Sequence, residues 1–376
     1  WENGVGLVQK TFAQIVTFTR TGSTATYFNS AGVLTTTVAD EPRFDYNPST
    51  LAARGLLIEE ARTNLLTYSA LIGGTNWTNQ NSIVVTTNTT DVTDPSNTNT
   101  ASKLVSGSAT SQTLQSATLT AAVHSASVFL RTLSGTVSVE LYVYLTASPF
   151  TVIGTATVTA TSTWQRFSFT TSTATATSYT LAVRVPSGTA YAFGAQLEAG
   201  AFPTSYIPTT TTALTRNPDQ ASVNTLAPWF NSAAGTLFAE FTRGYTGNFS
   251  NFASPAAITD NLIPPNTNAI ASAYTNGASQ QLYNSMVVNS VEQLTFQQET
   301  AQTTNKVALA YKTDDTQQFT NGVAEIADTS CTVPTSVSQM NIGSAYVNNT
   351  FMNSWIRRVT YYPRRLAQAD GIAITT

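Results

Sequence analysis

Phe193-Gly-Ala-Gln-Leu-Glu-Ala-Gly-Ala-Phe-Pro-Thr-Ser-Tyr-Ile-Pro-Thr209 divides the chain. It opens apolar and alternating at Tyr191, Phe193, Ala195 and Leu197, the pattern of a strand with one buried face. Gly200 then frees the backbone, while Pro203 and Pro208 bar a helix and favour an extended path. The polar run from Thr209 to Thr212 suits a crossing of open surface. The stretch reads as a last strand, a corner and a linker, with a β-rich module on either side.

Working outward, composition agrees with that reading. Charged residues make up only 10% of the 376, well below the usual quarter, and Thr, Ser, Asn and Gln take their place. A disordered chain would be poor in aromatic and β-branched residues, whereas this one is rich in Thr, Val, Tyr and Phe. The class is all-β. Net charge is −3, and the basic pairs Arg357-Arg358 and Arg364-Arg365 are too isolated to form a nucleic-acid groove. Cys331 is the sole cysteine, which rules out an intrachain disulfide and a cysteine metal cage; it reads as a small buried residue. No apolar run approaches the roughly 18 residues that a membrane helix needs. The opening Trp-Glu-Asn-Gly resembles neither a signal peptide nor a natural start, so an upstream segment is expected.

The division is a lead-in over residues 1–64, a jelly roll over 65–208, a linker over 209–221 and a second β-sandwich over 222–376. The lead-in carries a hairpin turning at Asn29-Ser-Ala-Gly32 and two short extended pieces, Pro42–Tyr46 and Gly55–Glu59. It has too few apolar residues for its own core and is expected to lie against the next domain or a neighbouring subunit. In 65–208 the clearest strand is Val137–Leu145, whose Val137, Val139, Leu141, Val143 and Leu145 alternate with Ser138, Glu140, Tyr142 and Tyr144. Six further candidates are Ile83–Thr87, Ala101–Val105, Ala126–Leu130, Trp164–Thr170, Tyr179–Val185 and Ala190–Leu197, a spacing that fits two packed antiparallel sheets. In 222–376 the runs Gly235–Arg243 and Lys306–Lys312 alternate as cleanly, and Asn321-Gly322 supplies a tight turn. Each of 65–208 and 222–376 is expected to own a core.

Thr17-Phe-Thr-Arg20, Ala25-Thr-Tyr27, Pro42-Arg-Phe-Asp-Tyr46 and Gly55-Leu-Leu-Ile-Glu-Glu-Ala-Arg-Thr-Asn-Leu-Leu66 form a framework. Together with the 193–208 stretch and Thr215-Arg216, it resembles a recurring feature of tailed-bacteriophage structural proteins that carry a carbohydrate-binding-module-like jelly roll. The last third, with Gly235–Arg243, Val307–Tyr311, Asn341-Ile-Gly343 and Trp355–Pro363, resembles a concanavalin-like (laminin G-like) domain. The resemblance implies a non-enzymatic virion surface protein, a fibre, spike or tail component assembled in the bacterial cytoplasm. It would contact other virion proteins, form a homo-oligomer, commonly a trimer, and bind host-surface glycans. A purely architectural virion protein and a glycan-cleaving enzyme are the alternatives.

Sugar recognition stacks an aromatic face on a pyranose while amides and carboxylates read the hydroxyls. The candidates are Trp77, Tyr142 and Tyr144 in the first sandwich and Tyr245, Phe249, Tyr274, Tyr283 and Tyr346 in the second. For any one of them, edge packing or a subunit contact is the competing role. Trp164 reads as core, and Trp229 and Trp355 as core or interface. Asp91, Asp94, Asn97 and Asn99 form an oxygen-rich run suited to a structural Ca²⁺, although it lacks the Gly and distal Glu of an EF-hand loop. An Asx-rich surface turn is the simpler reading; no other cofactor is implied. His124 is the only histidine and reads as outward-facing on a strand; without a Gly-x-Ser-x-Gly elbow it makes no serine-hydrolase triad. Glycoside hydrolysis needs two carboxyl groups about 5–10 Å apart, and neither Glu59-Glu60 nor Asp314-Asp315 offers that pair on one strand face.

Overall fold

The computed structural model describes residues 9–244, 252–260, 267–275, 281–294, 299–300, 302–325, 327–344 and 351–376. The alternation at Val137–Leu145 becomes a strand over those same residues. Val139, Leu141 and Val143 are buried, while Glu140, Tyr142 and Tyr144 lie half-buried on the opposite face. Its sheet runs Val152–Ala160, Val137–Leu145, Ser178–Arg184, Gln112–Thr118, Thr78–Gln80. A second sheet faces it, ordered Gln165–Thr170, His124–Arg131, Thr189–Ala199, Ser102–Val105, Val84–Thr86. Pairing is antiparallel throughout, for example Leu141 opposite Val183. Between the two sheets sits a core that includes Leu104, Val128, Leu130, Leu141, Leu181 and Leu197, drawn from residues 66–197 alone.

A second antiparallel sandwich follows. One sheet runs Val323–Ala324, Gln317–Thr320, Thr304–Lys312, Ala234–Thr242, Ser354–Tyr362, Ala53–Ile58, Phe44–Tyr46. The other includes Thr17–Thr19, Gln220–Val223, Gln339–Ile342, Phe252–Thr259, Ala269–Thr275 and Gln281–Val288 in that order. The lead-in therefore supplies strands to both sheets, and Val16, Phe18, Leu56 and Ile58 enter the same core as Leu237, Phe241, Leu309 and Ile356. Gly55 is what lets Ala53–Ile58 dock so closely. Its φ is +110°, and a Cβ there would collide with the Ile356 carbonyl. The chain ends in a short helix, Gln368–Thr375.

The lead-in also covers the first sandwich. His124–Arg131 is buried on both faces because Val128 and Leu130 enter the core while Phe129 points the other way. There Phe129 and Phe193 meet Leu34, Phe28 and Tyr206, the first pair contributed by the hairpin of Ala25–Phe28 and Leu34–Thr37. His124, expected to face outward, is buried as well, with Nδ1 3.0 Å from the Ala122 carbonyl and its backbone N–H donating to Thr171 Oγ1 at 3.0 Å.

Buried charge also joins these parts, beside the apolar contacts. Arg20, Arg43 and Arg216 are fully buried around Asp219 and Glu59. Arg20 Nη1 lies 3.0 Å from Asp219 Oδ1, and Arg43 Nη2 holds the other oxygen of Asp219. Arg43 Nη1 lies 2.8 Å from Glu59 Oε2, with Arg216 Nη2 3.3 Å from the same atom. Ser205 donates its backbone N–H and its hydroxyl to Glu59, at 2.8 and 2.6 Å. Carbonyls of Ser23, Val38, Thr26, Glu60 and Asn217 and the Ser205 hydroxyl oxygen accept further guanidinium bonds. Residues 209–221, expected as a linker, thus carry the buried ends of Arg216 and Asp219 and the short strand Leu214–Arg216, paired with Arg62–Asn64. The Nε atoms of Arg43 and Arg216 are buried without a hydrogen-bond partner among the described residues, but each guanidinium keeps a carboxylate, and removing one partner of such a pair typically costs about 3–5 kcal/mol.

Two expectations follow from this construction. A fragment spanning 65–208 keeps a whole core and should unfold cooperatively. A fragment spanning 222–376 loses Val16, Phe18, Leu56 and Ile58, side chains worth roughly 2–5 kcal/mol each against a typical total of about 5–15. It should stay unfolded or aggregate by circular dichroism, and a cooperative transition would contradict this assembly. The second concerns acid. Burial disfavours the charged form of Glu59, but Arg216, Arg43 and the Ser205 bonds outweigh it and hold the carboxyl at about 2, against 4.5 ordinarily. A depressed carboxyl stabilises the fold above its unfolded pKa, so this contribution, on the order of 3 kcal/mol, should vanish as pH falls from 4.5 through 2. Burial raises Glu198 and Asp45, which run the other way, so the comparison is with Glu59→Gln. Urea midpoints of the native chain should fall faster with acid than those of the variant; parallel profiles would remove Glu59 from this role.

Candidate functional site

The charge cluster leaves a cleft of about 920 Å³ where the hairpin, the first sandwich and the second sandwich converge. Tyr27, Phe28 and the Asn47–Ser49 turn form one wall. Phe129, Trp164, Gln165, Arg166 and the Pro203–Tyr206 segment form the floor, with the Asp94–Asn97 loop beside them. Arg54, Asn353 and Trp355 close the third side, and Glu59 reaches its edge. Aromatic faces alternate here with amides, hydroxyls and guanidinium groups.

Each group is held by its own local structure. Trp355 lies near the start of Ser354–Tyr362, paired with Thr242 on one side and Leu57 on the other, and its Nε1 donates to Asp45 Oδ2 at 2.8 Å. The Arg54 guanidinium stacks 4.6 Å over its ring while also reaching Asp45 at 3.3 Å. Asp45 Oδ1 accepts from the Phe28 N–H, which ties the hairpin wall to the same carboxylate. Trp164 sits just before Gln165–Thr170, with Nε1 donating to the Thr93 carbonyl at 2.8 Å and Arg131 5.8 Å over its ring. It is half-buried and packs on the outer face of its sheet, not between the sheets. The expectation of a core tryptophan fails because the hairpin, not the opposite sheet, partly covers that face.

The oxygen-rich run beside the cleft is organised around Asp94, whose carboxylate accepts from Ser96 N, Thr98 N and Oγ1, and Thr100 N and Oγ1. Asp91 turns away to Lys103 and the Tyr191 hydroxyl, at 2.8 and 2.9 Å. Asn97 and Asn99 are exposed, Asn97 with a φ of +60°. The four do not converge on a common point, and among the described residues no group of three or more His, Cys, Asp or Glu could hold a metal ion.

The aromatic candidates are scattered. Trp77 is 7% exposed and packs into the first core, its Nε1 3.4 Å from the Tyr68 carbonyl. Tyr142 and Tyr144 lie on the outer face of the other sheet, away from the cleft. Tyr142 donates to Glu140 at 2.6 Å beneath the Arg184 guanidinium, which stacks at 4.7 Å. Tyr144 meets Phe150 edge-on at 6.5 Å. Tyr274 and Tyr283 belong to strands Ala269–Thr275 and Gln281–Val288, though their side chains lie outside the described set, as do Tyr245, Phe249 and Tyr346 altogether. The cleft instead gathers Trp164, Trp355 and Tyr27. Tyr27 belongs to the hairpin, and Trp355 to the strand that pairs with Ala53–Ile58, whereas nothing in the sequence around Trp164 marks it.

No protein-family model matches the chain, and no curated protein matches it. Among solved structures it is similar to the Ruminococcus gnavus IT-sialidase CBM40 bound to α2,3 sialyllactose, at 18% identity and a TM-score of 0.32, over 39% of this chain and 83% of that one. It is also similar to the CBM22-1-CBM22-2 tandem domain of Paenibacillus barcinonensis Xyn10C, at 9% identity and a TM-score of 0.30, over 79% and 97%. Mouse laminin α1 domains LG4-5 follow at 8% identity and a TM-score of 0.25, over 83% and 92%. At these values the likenesses assign the chain neither a family nor a ligand.

Proposed function

We propose that the chain is a non-enzymatic glycan-binding protein of a bacteriophage virion surface and that the cleft between its sandwiches takes the sugar. The observation that carries the binding role is the lining: Trp164, Trp355 and Tyr27 offer ring faces, and Asn47, Gln165 and Asn353 offer amides, within one 920 Å³ concavity. Aromatic surface covers the apolar face of a pyranose, and fixed amides read its hydroxyls. The virion location rests on the resemblance of the framework segments to tailed-bacteriophage structural proteins. On that resemblance the chain works as an oligomer, a trimer by preference, and presenting several weak sites together raises avidity by roughly 10²–10⁴.

The carboxylates support binding over cleavage. Glu59, charged down to about pH 2, cannot deliver a proton as a general acid. Both oxygens of Asp45 accept hydrogen bonds, and Asp94 is spent on its own loop.

On a glycan array followed by calorimetry, Trp164→Ala and Trp355→Ala should each weaken the best ligand by about tenfold or more, the scale of an aromatic anchor. Tyr142→Ala, on the remote sheet face, should stay within about twofold. The reverse pattern would move the site to that face, and release of reducing ends would make the chain an enzyme. In a cryo-EM reconstruction of the assembled particle the cleft should face solvent; a cleft filled by another virion protein would make the chain architectural.

A further inference from the structure

Arg166 occupies the cleft floor with no carboxylate in direct ion-pair contact, although the charges of Glu198 and Glu59 act on it from farther off. Its neighbours are better matched: Arg20, Arg43, Arg54 and Arg216 each have an Asp or Glu oxygen within 3.3 Å. Arg166 Nη1 donates to the Thr204 carbonyl at 2.6 Å and Nη2 to Ser127 Oγ at 2.8 Å, both neutral acceptors. Nε is buried and has no hydrogen-bond partner among the described residues. Two of five donors are thus used, and no ion pair to Arg166 occurs among the described residues. The side chain is nonetheless fixed, packed 5.5 Å from the Phe129 ring centroid on the strand that begins beside Trp164.

A partly desolvated cation without a direct ion pair is costly, and structures usually supply one. The acidic groups nearby are already engaged: Glu198, whose charge acts on Arg166 without touching it, accepts from Gln196 Nε2 and from the Thr204 N–H and hydroxyl. Asp45 is held by Arg54 and Trp355, Glu59 by Arg43 and Arg216, and Asp94 by its loop donors. Arg131, over the Trp164 ring, also lacks an ion pair among the described residues, so the floor around that tryptophan is cationic. Burial holds Arg166 below the usual guanidinium value, and a bound anion would relieve that penalty.

We infer that Arg166 is the seat for the anionic group of an acidic glycan whose ring stacks beside it on Trp164. The inference rests on the cleft being the glycan site. A rigid, planar guanidinium with unspent N–H donors suits anionic oxygens, which a sugar carboxylate and a sugar phosphate share.

The test is calorimetry on the full chain with oligosaccharides in matched sets: a uronic-acid form, its carboxyl-reduced form and a phosphorylated form of the same backbone. An anionic member should bind about tenfold or more tighter than the neutral one, the gain expected of a charge-assisted bond. Whether carboxylate or phosphate gains identifies the anion. In Arg166→Gln the ratio of anionic to neutral affinity should fall to about one, and Arg166→Lys should keep part of it. Equal affinity for acidic and neutral forms, still lost in Trp164→Ala, would overturn the role of Arg166 and leave the cleft as the site. Binding by no member of any set would overturn the cleft itself. If Arg166→Gln fails to fold, the matched sets on the native chain still decide.

Discussion

Three buried arginines share two buried carboxylates at the point where every part of this chain meets. Arg20 and Arg43 come from the lead-in, Glu59 from the strand that enters the second sandwich, and Arg216 and Asp219 from the stretch between the sandwiches. Ser205 adds the end of the first sandwich. Such a cluster contributes little net stability compared with apolar packing, because the desolvation of five charged groups offsets most of the attraction. Its value lies in geometry. A guanidinium fork accepts few orientations of a carboxylate, so the cluster permits one arrangement of hairpin, corner and sandwiches and penalises others.

That arrangement makes the cleft. Each wall hangs from an element that the cluster positions: the Thr204–Tyr206 floor through Ser205, the hairpin through Arg43 and Thr26, and the Trp355 side through the strand ending at Ile58. Asp45 carries the order outward by accepting from Phe28, Arg54 and Trp355 together. The binding surface is therefore composite. No single sandwich contains it, and its affinity for a ligand depends on polar bonds far from the ligand. The same logic separates Arg166 from the arginines of the cluster, since it is a cleft-floor cation that the fold supports without a direct ion pair among the described residues.

Much of the fold was legible where burial imposes a period. Val137–Leu145 alternates because one face enters the core, and its strand was read to the residue. Gln112–Thr118 and Val152–Ala160 were not read at all. The first is largely polar and earns its place by pairing centrally with Ser178–Arg184, and the second is an edge strand whose side chains are mostly exposed. The lead-in strands were read as extended pieces, but not their destinations, because pairing partners 300 residues apart leave no local trace. The site was less legible still. Exposed-looking tyrosines drew attention, whereas the informative signal was charge scarcity: in a chain only 10% charged, arginines and acids concentrated in the framework segments needed a structural reason. Trp164 misled because its surroundings read like core, while the face it packs on is covered by a segment more than 100 residues earlier in sequence.

Hydrogen–deuterium exchange of native chain and Asp219→Asn tests most directly whether the buried cluster assembles the cleft. Exchange should rise in Thr17–Thr19, in Phe44–Ile58 and across 202–206, while His124–Arg131 and Ser178–Arg184 keep their protection, because their core is complete without the cluster. Unchanged protection in these three segments would contradict the account, as would uniform loss throughout the first sandwich.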